Sequence, residues 1–137
     1  MATQRCICHA MKTLLKEQKI IAGIDIEFQF ICLSKKMDTI PFMLYSSKKN
    51  TPFSAICTGV ATPFFRIEKL NEDTCCAVLS LLEAVDMEGN PTDSCEDLFA
   101  LRKTKSCIIV NLTCFCAITP LPLELVDRPL PIIEPKC

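Results

Sequence analysis

The sequence predicts a mainly β protein: an antiparallel β-sandwich of about seven short strands with an N-terminal α-helix and an extended, proline-rich C-terminal arm. Three observations lead to this prediction. Apolar residues recur with a helical period near the N-terminus, and further along they alternate with polar residues. Turn-forming residues separate the short apolar runs, and prolines crowd the C-terminus. With 137 residues the chain suits a single domain that has its own core.

The first predicted element, within the N-terminal segment 1–23, is a helix over residues 4–22. Its apolar face consists of Ile7, Cys8, Met11, Leu14 and Leu15. Gly23 follows at the position where helices commonly end in a left-handed residue. We therefore expect an amphipathic helix that packs this face against the rest of the protein.

Residues 24–118 are predicted to form the β-sandwich core. Strict alternation of apolar and polar residues over 24–30 is the clearest strand signal. The run Thr74–Val85 suits either a helix or a buried strand, and its β-rich neighbours favour a strand. The other strands are predicted at 40–46, 52–58, 64–70 and 106–118, with a short segment at 98–101.

Residues 119–137 differ in composition and form the predicted arm. Its prolines are Pro120, Pro122, Pro129, Pro131 and Pro135. Prolines at this density exclude a helix or a central strand, because each removes a backbone donor and fixes φ. Extended, polyproline-like geometry is expected instead.

The charge balance limits the possible partners. Fifteen basic residues face 16 acidic ones, for a net charge of −1. This balance excludes a strongly basic nucleic-acid binder, and no apolar run is long enough to cross a bilayer. We therefore expect neither nucleic acid nor membrane as a partner, whereas self-association meets little electrostatic opposition.

The cysteine content is unusual, at 11 of 137 residues. Such a density is typical of oxidised, secreted proteins, yet the N-terminus lacks the apolar core of a signal peptide. The sequence therefore predicts synthesis in a cytoplasm. Three interpretations remain open: a metal-thiolate protein, a redox-active protein, or a structural protein oxidised after its cell opens. Because the count is odd, at least one thiol is free or pairs with another chain.

Sites for catalysis, metals and cofactors are not predicted. The chain has three glycines and therefore no glycine-rich phosphate loop. His9 is the only histidine, and no two cysteines have the Cys-x-x-Cys spacing that zinc sites favour. Two alternatives are kept: a cytoplasmic thiolate metal-binding module, and a thiol enzyme or redox sensor in which His9 activates Cys8.

The thiols divide by their expected exposure. Those expected at the surface lie off the helix face, in a loop, in a polar strand register or at the chain end: Cys6, Cys95, Cys107 and Cys137. Those sharing a face with apolar residues are candidates for buried thiols or intramolecular bonds: Cys32, Cys57, Cys114 and Cys116. Adjacent Cys75 and Cys76 are expected to point to opposite faces.

Five blocks of sequence, in order, resemble the cysteine-rich spore coat protein Y/Z and exosporium protein Y family of Bacillus-type endospores. The blocks are 41–45, 51–55, 63–68, 73–79 and 106–118, the last being the most specific. The chain departs from the family pattern in two places. Residues 24–36 hold only Cys32, and the proline-rich arm extends beyond the usual end.

The resemblance implies a structural, non-enzymatic protein that is made in the mother-cell cytoplasm and located on the spore surface, in the outer coat or exosporium. It implies self-assembly into a homo-oligomeric, disulfide-cross-linked layer or fibre, with other coat or exosporium proteins as further partners. An adaptor that anchors other proteins is the alternative. The candidates for cross-links between chains are then Cys6, Cys8, Cys95, Cys107 and Cys137, followed by Cys75 or Cys76.

Overall fold

The computed structural model describes residues 6–23, 37–57 and 59–130. The predicted strand at 24–30, with Cys32 and Cys137, lies outside these described residues, and so does the side chain of Cys57.

Within these ranges the protein has one α-helix and seven strands, which confirms the predicted mainly β class with an N-terminal helix. The elements are α1 (Cys6–Gly23), β1 (Phe42–Ser46), β2 (Ala55–Cys57), β3 (Val60–Thr62), β4 (Phe65–Asn71), β5 (Cys76–Val85), β6 (Ala100–Asn111) and β7 (Phe115–Pro120). Short 3₁₀ turns cover Leu112–Cys114 and Leu123–Leu125. The ambiguous run at 74–85 is a strand, as its neighbours indicated.

Five strands form one antiparallel sheet in the order β6-β5-β4-β1-β7, and β2 and β3 form a separate hairpin. Phe42 and Phe65 are the one residue pair that joins β1 to β4. Four Cα–Cα steps connect residues 111 and 115, which is at most about 14 Å. In a flat sheet the two edge strands would lie about 19 Å apart. The β1–β7 ribbon must therefore fold back over the β4–β5–β6 strands.

The prediction of one continuous strand over 106–118 is wrong, because a 3₁₀ turn at Leu112–Cys114 separates β6 from β7. Asn111 causes the break: its side-chain oxygen accepts a hydrogen bond from the Thr113 amide at 3.0 Å and one from the Thr113 hydroxyl at 2.7 Å. An asparagine that bonds locally in this way competes with the strand ladder.

The larger core, called the inner core here, lies between α1, the β1–β7 ribbon and one face of β4–β5–β6. Its fully buried members are Met11, Phe42, Leu44, Phe65, Ile67, Leu79, Leu81 and Leu112. The predicted apolar face of α1 is confirmed, since Ile7, Cys8, Met11 and Leu14 are buried. Phe53 stacks on Phe65 at 5.6 Å between ring centroids and meets Phe115 edge-on at 5.3 Å. These rings close the gap between the two layers.

A smaller core, the outer core, lies on the opposite face of the sheet. It consists of Phe64, Leu82, Ala84, Leu101 and Val126, with Leu121 and Leu125 packed against it. The Asp127 amide donates to the Leu101 carbonyl at 2.7 Å. Residues 119–130 thus end β7 and then pack on the sheet, and the extended arm predicted for 119–137 stays a prediction. The division into segments 1–23, 24–118 and 119–137 remains a prediction.

Gln18 joins α1 to two other parts of the fold although it is polar and buried. Its side-chain NH₂ donates to the Ile67 carbonyl at 2.9 Å, and its side-chain oxygen accepts from the Ile40 amide at 3.1 Å. The pairing of β4 with β5 shifts register between Ile67 and Lys69. Gln18 therefore satisfies backbone groups beside a bulge and just before β1.

Lys103, on β6, holds two separate segments to the sheet. Its Nζ lies 3.1 and 3.2 Å from the carboxylate oxygens of Asp38 and 3.5 Å from Oδ2 of Asp127. The Thr39 hydroxyl also donates to Asp38, at 2.9 Å. Burial raises the pKa of Asp38, but hydrogen bonds from Lys103 and Thr39 and the charges of Lys103 and Arg66 outweigh it. The pKa of Asp38 therefore lies below its usual value.

Gln18→Ala is expected to lower the free energy of unfolding by about 1–3 kcal/mol, because the partly buried Ile40 amide loses its acceptor. Urea denaturation measures the change. Glu17→Ala, at the exposed neighbouring position, is the matched control and should stay within about 0.5 kcal/mol of the wild type. Equal losses for the two variants would contradict the role given to Gln18.

Lys103→Met is expected to raise the pKa of Asp38, measured by NMR titration of its carboxyl group, because a hydrogen bond and a positive charge are lost. The ionised Asp38 stabilises the fold above about pH 4, its unfolded pKa, and this contribution is lost as the pH falls through the lower folded pKa. Acidification below pH ~4 should therefore cost the wild type more stability than the variant. Lys105→Met, on the same strand and without a described salt bridge, should leave the Asp38 titration unchanged.

Candidate functional site

Cysteines are the chemically distinctive side chains of this protein, and the structure describes eight of them. Five are exposed: Cys6, Cys95, Cys107, Cys114 and Cys116. Cys76 is half-buried, and Cys8 and Cys75 are buried. The candidate site is therefore a set of surface thiols distributed over α1, the β5–β6 loop, β6, the 3₁₀ turn and β7.

The exposure predicted for Cys6, Cys95 and Cys107 is confirmed. Cys6 begins α1, off its apolar face, and Cys95 lies in the loop before β6. Cys107 pairs with Ser80 of β5, on the sheet face opposite the inner core. Its Sγ lies 3.9 Å from the Lys105 carbonyl, a weak hydrogen bond that leaves the sulfur at the surface.

The burial predicted for Cys114 and Cys116 is wrong, since both are exposed. That prediction assumed one continuous strand, in which they would share a face with Ile118. Cys114 instead lies in the 3₁₀ turn. Cys116 is the extra residue where Ser46 pairs with Phe115 and Tyr45 with Ala117. A bulged residue has no cross-strand partner, so it leaves the alternating pattern.

Cys8 is buried in the inner core among the residues of the helix face. This burial argues against Cys8 as a cross-link between chains, and its place among the candidates stays a prediction. The sequence already carried the signal, because Cys8 belongs to the apolar face of α1.

His9 is exposed while Cys8 is buried, as expected for adjacent helix residues, which do not face each other. Cys8 and His9 therefore lie on different sides of α1.

Cys75 and Cys76 do differ in environment. Cys75 is buried with a left-handed φ of 56°, and its Sγ lies 3.8 Å from the Glu72 carbonyl. The side-chain oxygen of Asn71 accepts from the Asp73 and Thr74 amides at 3.0 and 3.3 Å, which holds this tight turn. Cys76 begins β5 opposite Asn111. Of the two, Cys76 is the more accessible cross-link candidate.

The sheet register prevents Cys76 and Cys107 from bonding to each other within one chain. Cys76 pairs with Asn111, and Cys107 pairs with Ser80, on the same two strands. Four residues along a strand span about 13 Å. A disulfide requires Cα atoms within about 4.4–6.8 Å of each other. A disulfide between Cys76 and Cys107 of the same chain is therefore excluded.

The described residues contain no group of three or more histidine, cysteine, aspartate or glutamate side chains that could hold a metal ion. Every buried side-chain nitrogen or oxygen in this part of the chain has a hydrogen-bond partner. The arrangement offers separate surface nucleophiles rather than a convergent centre.

Alkylation of the native, reduced protein is expected to modify Cys6, Cys95, Cys107, Cys114 and Cys116 first. Cys8 and Cys75 should react about 100-fold more slowly or slower still, because their modification requires a local opening that costs a few kcal/mol. Peptide mapping by mass spectrometry at several times measures the rates. The denatured protein is the control, in which all thiols should react alike, and uniform rates in the native protein would contradict the burial described.

Comparison with known proteins agrees with the resemblance carried by the five blocks. The family model for spore coat protein Z matches residues 1–123. Spore coat protein Z of Bacillus subtilis (strain 168) is 38% identical over 106 residues, which cover 66% of this chain and 68% of that protein. No solved structure matches. In the described part of the chain, no helix has the length and apolar content needed to cross a membrane. The chain therefore belongs to the spore coat protein Z family.

Proposed function

We propose that this protein assembles with copies of itself into an ordered layer or fibre, and that disulfides between surface thiols then lock the assembly. Membership of the spore coat protein Z family gives it a structural role in the spore coat, at the spore surface. Family membership also supports association with other coat proteins. The proposal concerns the self-assembly and the chemistry that makes it permanent.

The distribution of exposed thiols is the observation that carries this proposal. They lie on separate elements, from the first residue of α1 to β7. A catalytic or metal centre requires its side chains to converge. Thiols that point outward from many directions instead suit bonds to several neighbouring chains.

In the described part of the chain, apolar side chains build a core of their own. Apolar side chains from α1 and both layers of strands fill the inner core, and the outer core covers part of the other face. A protein built in this way can fold while its thiols are still reduced. Oxidation after release from the mother cell would then connect folded subunits without being needed to form them.

The alternatives receive less support. A thiolate metal-binding module needs several ligands around one ion, and the described residues offer no such group. A thiol enzyme based on Cys8 and His9 would need Cys8 at the surface, whereas it is buried. We therefore propose a non-enzymatic role, with other copies of the chain as the main partner.

Purified protein exposed to air is expected to form a ladder of multimers on non-reducing denaturing gels, and reductant should collapse the ladder to one band. Cys107→Ser combined with Cys114→Ser and Cys116→Ser should shorten the ladder, because three accessible thiols are removed. Cys8→Ala is the matched control, since it removes a buried thiol and should leave the ladder unchanged.

Two results would contradict the proposal. One is a monomer that keeps all its thiols titratable after air exposure. The other is a ladder that shortens equally with Cys8→Ala and with the triple serine variant. Circular dichroism of each variant establishes that the fold is retained.

A further inference from the structure

The second half of β6, residues 107–111, lies at an edge of the five-stranded sheet. The first half of β6 is covered on that edge, because Leu101 forms a bridge with Val126 and accepts a hydrogen bond from the Asp127 amide. Among the described residues, no segment pairs with 107–111 on this side. Leu130, the last described residue, lies near Gly89 in the loop before β6. The described chain therefore ends at the other end of β6 from residues 107–111.

Hydrogen bonding at the end of β6 shows which backbone groups face outward. The Leu112 amide donates to the Cys75 carbonyl at 2.8 Å, toward β5. Successive residues of a strand direct their backbone groups to opposite sides. Cys107, Ile109 and Asn111 therefore present N–H and C=O groups at the free edge. Their side chains are all exposed, and that of Ile109 is 76% exposed.

We propose that this edge pairs, antiparallel, with the same edge of a second copy of the chain. The inference rests on the self-assembly proposed above and names the contact that begins it. A two-fold axis at Ile109 sets Ile109 opposite its own copy and Cys107 opposite Asn111. Each of these opposed residues exchanges two hydrogen bonds with its partner, and the two isoleucines bury each other's apolar surface.

Charge along the strand favours a second copy in this orientation. Lys105 precedes the pairing segment, and Glu72 and Asp73 lie in the exposed turn beyond its far end. Glu72 is paired with Lys12 at 3.4 Å, whereas Asp73 has no ion pair among the described residues. Antiparallel pairing directs each Lys105 toward the acidic turn of the other copy. The two lysines meanwhile lie about eight residues, or ~26 Å, apart along the strand, beyond the range of repulsion at physiological salt.

Exposed edges of this kind are usually protected. One stretch of β6, residues 103–107, has two such protections. Its pairing with β5 shifts register there, between Ser80 and Leu82, and the stretch carries two lysines. Bulges and lysines are common means of preventing unwanted strand pairing. From 107 to 111 the strand is regular and apolar at Ile109. Within the described residues this stretch of β6 lacks such protection, which favours it as a surface for a partner strand.

In this pairing the two Cys107 thiols lie about 13 Å apart along the strands, too far to bond to each other. The strand contact is thus non-covalent, and each Cys107 remains available to a further chain.

Sedimentation velocity of the reduced protein tests the edge contact. We expect a reversible dimer for the wild type, and Ile109→Lys should raise its dissociation constant at least about tenfold, because like charges would meet on the two-fold axis. Ile56→Lys is the matched control: Ile56 lies on β2 and is 75% exposed, so its replacement should leave the dimer unchanged. Hydrogen exchange should show amides of 107–111 protected in the wild-type dimer and exchanging in Ile109→Lys.

The outcomes separate this inference from the proposed function. Equal association of Ile109→Lys and the wild type, or equal weakening by Ile56→Lys, would overturn the edge contact while leaving self-assembly intact. A wild-type monomer under reducing conditions would also overturn the edge contact, and the air-oxidised gels would then decide the proposed function separately. Thermal melts of both variants check that each remains folded.

Discussion

Apolar contact across the inner core is the interaction on which the rest of this structure depends. One face of α1 and the β1–β7 ribbon press on the β4–β5–β6 strands, with Met11, Phe65 and Leu79 among the fully buried side chains. Each such side chain contributes about 1.5–3 kcal/mol when it leaves water. This layer packing stabilises the described part of the subunit through apolar contacts. The surface cysteines can therefore serve the proposed bonds between chains.

Polar contacts then give the layers their alignment. Gln18 connects α1 to β4 and to the segment before β1. Lys103 connects β6 to Asp38 and to Asp127 in the C-terminal segment. These contacts bring parts of the chain that are distant in sequence to fixed positions around β6. The strand proposed to pair with a second copy is thus set on a rigid support, which lowers the conformational cost of association.

Much of this arrangement was predictable from the sequence. The helical period of α1 identified its buried face, and the β-rich surroundings identified β5 as a strand. Both rest on periodicity, which is a local property. The exposed position of Cys6 followed from the same reasoning, and that of Cys95 followed from its place in a loop. The family resemblance came from the order of short blocks, most of all 106–118, which spans the end of β6 and all but the end of β7.

Other features depend on long-range geometry or on a single side chain. The break after Asn111 arises from its own hydrogen bonds to Thr113, and the exposure of Cys116 arises from a register shift against β1. A bulge leaves no periodic signal, so an alternating pattern read through it assigns the wrong face. The packing of 121–126 on the outer core depends on Leu82, Leu101 and other residues far away in the chain. Composition alone had indicated only an extended arm.

The burial of Cys8 and Cys75 has a consequence for how such a coat would respond to its surroundings. Thiols sealed inside the subunit are insulated from oxidants, while those outside respond to them. A change in redox conditions would therefore alter the connections between neighbours and leave the shape of each subunit untouched. If disulfides join the subunits as proposed above, such a shell could be hardened, and later loosened by reductant, without any of its members having to unfold.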